Sequence, residues 1–252
     1  LSLAQLSPAE SLLMQMAQAH LKHLLPAHLT ASFSPFFSQA GHTLSHSEQA
    51  QREREWSQKV RVVAASQPLL PPVIQEGVFD AVSEALYYNR WLNIDYSNAH
   101  GTRRQVEVMP LGLAQQGSRL YLVCRFKGYD NERSLALNRI TSAVCSTFHF
   151  SRPTDFNLKR YDDDGRFGFG EGRHIRIHFT LETARAQLLL ESPLSSDQQV
   201  SELDDGRLRF SVTVVDSPML DGFLATFGNT ISNIKRDIDD VSTEQENNDE
   251  YR

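Results

Sequence analysis

Cysteine is scarce in this chain. Only Cys124 and Cys145 occur among 252 residues, in no CxxC or other metal-ligand spacing. That argues against a disulfide-stapled fold and against a zinc module, and two reduced, buried thiols are expected instead. Long apolar runs are missing as well. No stretch of about 18 uninterrupted apolar residues occurs, so no membrane span is expected. The residues after Leu1 carry no basic segment followed by an apolar one, so no secretory signal is expected and a cytoplasmic location is. With Leu rather than Met at position 1, the chain reads as the back part of a longer protein. Chemistry-bearing patterns are also missing: no Ser or Cys nucleophile in a tight turn, no paired carboxylates in a recognisable frame, no phosphate-cradling loop tied to a strand. Neither an enzyme nor a cofactor is expected.

Excess charge is absent from most of the chain. The net charge is -6. From Asp237 to Arg252 seven acids stand against one base, which accounts for all of it and leaves the other 236 residues at zero. A nucleic-acid partner would have to find a local patch, because the chain as a whole supplies no attraction. The acidic, polar stretch 239–252 reads as a disordered tail.

What is present is an ordinary globular composition, 40% apolar and 22% charged, in a chain long enough for two small cores. Ser7-Pro8-Ala9-Glu10 is a capping box with Pro at the first helical position, followed by Leu12, Leu13, Met16, Leu21, Leu24 and Leu25 at helical spacing. A second amphipathic stretch, SEQAQREREWSQKV, holds Arg52, Arg54 and Lys59, with Arg61 directly after it. Glu48, Glu53 and Glu55 interleave with them, so a solvated face is expected there rather than a DNA-binding helix. SQPLLPP ends this helical segment and linker, 1–72. Residues 73–150 read as one helix with Val78, Val82, Ala85 and Leu86 on its apolar stripe, then about five short strands, the size of a small Sm-like or SH3-like barrel. Residues 151–173, including GFGEG, read as a linker. Residues 174–238 follow the order βαββαβ, the ferredoxin-like plan. The expected class is therefore α+β: N-terminal helices, a small barrel, and a ferredoxin-like C-terminal domain.

Arginines gather in the barrel segment. If residues 133–139 form one strand, Arg133, Leu135, Leu137 and Arg139 share a face, with leucines in the core and arginines at the rim. Tyr121, Val123 and Arg125 share a face of the neighbouring strand, and Arg103 and Arg104 follow the Asn98–Gly101 turn. Guanidinium forks bind phosphate bidentately and a tyrosine offers a stacking platform, so this set suits a phosphodiester ligand. The same arginines could instead pair with Asp130, Glu132 or Glu107, and Tyr121 could be a core residue; both readings stay open on the residues alone. His20, His23 and His28 are split by Pro26, His174 and His178 lack a third ligand, and Asp162-Asp163-Asp164 is a solvated run, so no metal site is expected.

Several short motifs in order carry a resemblance: IDY at 94–96, VMPLGL at 108–113, LYLV at 120–123 and RSLALNRI at 133–140. Together they resemble the WYL-domain transcriptional regulators of bacteria, without the amino-terminal winged helix-turn-helix. The last third resembles the C-terminal extension domain of that family, through SPLSSDQQV and LDGFLATFG. Leu120 departs from the Trp of the family name, and Ala136 stands where many relatives carry a further Arg. The resemblance implies a regulator that meets operator DNA through the winged-helix domain. It also implies a barrel that takes an anionic, nucleotide-like or oligonucleotide effector, and a homodimer. On that basis the ligand-binding residues are expected to be Tyr121, Arg125, Arg133, Arg139, Arg103 and Arg104. A protein that binds single-stranded nucleic acid directly through the barrel is the alternative.

Overall fold

The computed structural model describes residues 6–21, 23–98 and 100–237. The chain divides into two units between Thr154 and Asp155. The expected disordered tail, 239–252, lies outside the described residues.

The first unit opens with three helices, α1 (Pro8–Leu21), α2 (Ala27–His46) and α3 (Gln51–Lys59). The capping box forms as its residues dictate: the Ser7 N–H donates to Glu10 Oε2 at 2.8 Å, and the Glu10 N–H donates to Ser7 Oγ at 3.3 Å. Helix α2 has no counterpart in the sequence reading. Pro35 sits inside it, and the helix persists because Phe37, Ala40 and Leu44 bury one stripe against the neighbouring helices. The start of α2 is tied to the next helix, α4 (Val78–Tyr88), by the Ala27 N–H, which donates to Ser83 Oγ at 2.8 Å.

Five antiparallel strands follow: β1 (Arg90–Ser97), β2 (Arg103–Gln116), β3 (Arg119–Phe126), β4 (Glu132–Ala136) and β5 (Ile140–His149). They pair in the order β4-β3-β2-β1-β5. Strand β2 is long enough to serve two partners in succession, β1 along its first half and β3 along its second. Among the described residues the ladder ends at β4 and β5, and the closure expected of a barrel is not part of it. The core lies under α4, whose Val78, Val82 and Ala85 pack on Leu92, Ile94, Val108, Leu122, Leu137 and Ile140.

The second unit places β6 (His174–Leu181), α6 (Thr183–Glu191), β7 (Gln199–Glu202), β8 (Leu208–Val215), α7 (Pro218–Ala225) and β9 (Ile231–Asp237) after a short helix, α5 (Leu158–Asp163). The antiparallel sheet runs β7-β8-β6-β9, the order of the ferredoxin-like plan. Alternation explains it: Ile175, Ile177, Phe179 and Leu181 turn inward beneath Ala186 and Leu189 of α6 and Leu220 and Leu224 of α7. Phe179 and Phe210 face each other across the strands with ring centroids 5.1 Å apart. The glycine-rich segment before β6 is packed rather than loose. A Cβ on Gly165, whose φ is 68°, would meet Val215 Cγ1 at 2.8 Å, and one on Gly168 would meet Met219 Cβ at 2.8 Å.

Candidate anion site on the five-stranded sheet

Register sorts the expected site residues onto two faces. Leu92 and Ile94 of β1 point into the core, and Tyr96 follows them. On β2, Val106 and Val108 do the same, which places Arg104 on the core face and Arg103 on the outer one. On β3, Leu120, Leu122 and Cys124 point into the core under α4, so Tyr121, Val123 and Arg125 share the opposite face, as expected, with Val123 fully buried there. On β4, Leu135 is inward and Arg133 shares its face, opposite Cys124. Arg125 and Arg133 therefore leave the sheet on opposite sides.

Partners sort them further. On the outer face Asp95 is 7% exposed and receives Arg103 Nε at 2.7 and 2.9 Å on its two oxygens, with Nη2 closing a fork. Arg103 first, through its hydrogen bonds, holds the Asp95 carboxyl below its ordinary range, against desolvation. Arg125 faces Glu132 across the strands and donates to it from Nε at 2.9 Å and from Nη2 at 2.5 Å. Both pairs are cross-strand neighbours of opposite charge that fasten the sheet. Arg133 lies over the Phe126 ring at 4.6 Å and near the Tyr129 ring at 5.6 Å. Tyr121 is half-buried opposite Ala136 and Ala114.

Arg104 and Arg139 remain. Neither has an acidic partner among the described residues. The expected strand through Arg139 stops early: β4 ends at Ala136, and Leu137–Arg139 form a 3₁₀ turn that feeds β5. The alternation that placed Arg139 on the face of Arg133 is broken there, because a 3₁₀ turn has three residues per turn, not two. The turn returns the chain to β1 instead. Ile140 lies opposite Tyr96, and Tyr96 lies opposite Arg104. Arg104, Tyr96 and Ile140 thus form one row across three strands, with Arg139 immediately before the row's last member. Arg104 is exposed, while Tyr96 and Arg139 are half-buried. Two guanidinium groups without acids and a tyrosine between their backbones can hold a phosphate or carboxylate and stack a planar group.

Tyr96, opposite Arg104, is not among the expected site residues, although it closes the IDY motif. Pairing the two arms of the Asn98–Gly101 turn in sequence would have set it against Arg104. A depression of about 440 Å³ on the same sheet offers an anion no cation of its own, since the charged groups lining it are Asp95 and Glu107, already paired with Arg103 and Lys127. The histidines of the first helices serve as aromatic packing: His23 meets Phe79 edge-on and His28 meets Tyr87.

Comparison with known proteins locates this sheet. Residues 77–145 match the WYL domain family. No curated protein matches the chain. Among solved structures, the proteasome accessory factor B/C (PafBC) of Arthrobacter aurescens aligns with 91% of this chain at 21% identity and a TM-score of 0.34. A TM-score this low does not establish a shared arrangement, and the chain spans 31% of that protein's length. The residues that match the WYL domain family take in helix α4 and the strands through the first half of β5, Arg104, Tyr96 and Arg139 included.

Proposed function

We propose that this chain is the effector-sensing and dimerising part of a bacterial transcription regulator, and that an anionic, nucleotide-like effector docks where Arg104 and Arg139 flank Tyr96. The WYL match over residues 77–145 supports the regulatory role. The observation that carries the site is that these two arginines alone, of the five first expected to bind, lack both an acidic partner and an aromatic ring beneath them among the described residues. In this reading Arg103 and Arg125 hold the sheet through Asp95 and Glu132, and Arg133 covers Phe126. The effector acts by linkage: it binds one arrangement of the regulator better than another, and so shifts the geometry of an attached winged-helix domain on operator DNA.

Fluorescence anisotropy with a short 5′-phosphorylated single-stranded oligonucleotide tests the site. Arg104→Ala and Arg139→Ala should each weaken binding at least about tenfold, as the roughly 1.5–3 kcal/mol of a charge-assisted hydrogen bond requires. Equal affinity in wild type and both variants would overturn it. Tight binding that needs no operator, in the presence of ordinary salt, would favour direct single-strand binding as the protein's task.

A further inference from the structure

Apart from the sheet, α1, α2 and α3 enclose with the segment Val60–Val62 an open groove of about 430 Å³. Its walls are apolar because of helical spacing. Met16 and Ala19 lie three apart on α1, Leu44 comes from the last turn of α2, and Trp56 of α3 is 52% exposed over the opening. Val60 and Val62 close the far side. The polar lining is one-sided in charge: it holds Arg54, Arg61 and His20 and no Asp or Glu. Arg54 is occupied, since its Nη1 donates to the carbonyls of Leu44 at 2.6 Å and Ser45 at 2.9 Å, two of the orphan carbonyls at the end of α2. Arg61 is exposed and has no partner among the described residues.

An apolar trough of this volume with a few convergent polar groups at its lip is the ordinary form of a small-molecule site. The lip selects the sign of the ligand, because a cation brought there would meet two guanidinium groups and no carboxylate. We propose that the groove binds a small amphipathic monocarboxylate, its aliphatic or aromatic body against Met16, Leu44, Trp56 and Val62 and its carboxylate on Arg61. A carboxylate matches the planar guanidinium fork bidentately, which a hydroxyl cannot do. This site is separate from the row formed by Arg104 and Tyr96, and it neither requires nor excludes a nucleotide-like effector there.

Trp56 and Trp91 are the only tryptophans, so the full chain carrying Trp91→Phe reports on Trp56 alone. Octanoate serves as the probe, with octanol and octylamine as controls of the same length, and calorimetric titration of the wild-type chain provides a readout independent of the substitution. Octanoate should shift Trp56 emission with a dissociation constant in the micromolar range, octanol should bind at least tenfold more weakly, and Arg61→Ala should abolish that difference. No heat and no emission change with octanoate at millimolar concentration would overturn the proposal. So would octanol or octylamine binding as tightly as octanoate, or an Arg61→Ala chain that still prefers the acid.

Discussion

Single charged side chains in this protein divide into those that hold the fold and those left available, and the division is open to titration. Asp197 illustrates the first kind. Burial raises its carboxyl, but hydrogen bonds from Ser195 and Thr213, with Arg176 beside them, outweigh that and hold it at about 2 against an ordinary 3.8. A carboxyl depressed in the folded state stabilises fully above the ordinary value, and the contribution is lost as pH falls through the folded one. The second unit should therefore lose stability between about pH 4 and pH 2, and Asp197→Asn should flatten that part of a plot of melting temperature against pH. Asp95, held below its ordinary range by Arg103, stands in the same class. Replacing Arg125 by Ala should lower the melting temperature measurably, since it leaves Glu132 without its cross-strand partner, whereas Arg104→Ala should change stability by no more than about 0.5 kcal/mol. The thiols follow burial. Burial pushes the Cys124 thiol far up, and native protein should resist thiol reagents at that position until it unfolds.

At the scale of elements, the second unit from β6 to β9 was legible almost residue by residue, whereas α5 lies in the stretch read as a linker. Strand β6 turns Ile175, Ile177, Phe179 and Leu181 inward, β8 does the same with Phe210 and Val212, the helices carry one apolar stripe, and Gly206 and Gly228 mark turns with positive φ. Alternation also placed Tyr121, Val123 and Arg125 on one face. It failed at Arg139, because no feature of RSLALNRI announces that period two gives way to a 3₁₀ turn after Ala136. It failed for α2 as well, where Pro35 and a polar composition mask a helix that tertiary burial sustains. GFGEG, 168–172, reads as a linker in sequence, yet a Cβ on its Gly168 would meet Met219 Cβ at 2.8 Å, and Gly165 just before it is crowded by Val215. Gly165→Ala combines a left-handed φ with a clash against Val215 and should cost about 1–3 kcal/mol by denaturant titration, where an exposed linker glycine would cost nothing comparable. Leu137→Ala, in the 3₁₀ turn and fully buried, should cost about 2–5 kcal/mol in the first unit.

For the molecule as a whole, composition excluded more than it identified. A chain whose first 236 residues sum to zero charge cannot attract a polyanion generally, so affinity for one must come from a few unneutralised groups in one place. The sequence supplied the candidates but not their pairing, since whether an arginine meets an acid depends on strand register. Register sets Arg103 beside Asp95 and Arg125 opposite Glu132 and leaves Arg104 opposite Tyr96, within the residues that match the WYL domain family; the proposed site adds Arg139, which ends the following 3₁₀ turn. The salt dependence of binding tests this most directly. Each phosphate contact to a single strand contributes about -0.7 to the slope of log K against log salt. For a short phosphorylated single strand, the chain with both Arg104→Ala and Arg139→Ala should show a slope smaller in magnitude by about 1.4 than wild type. Identical slopes in the two proteins would contradict the account.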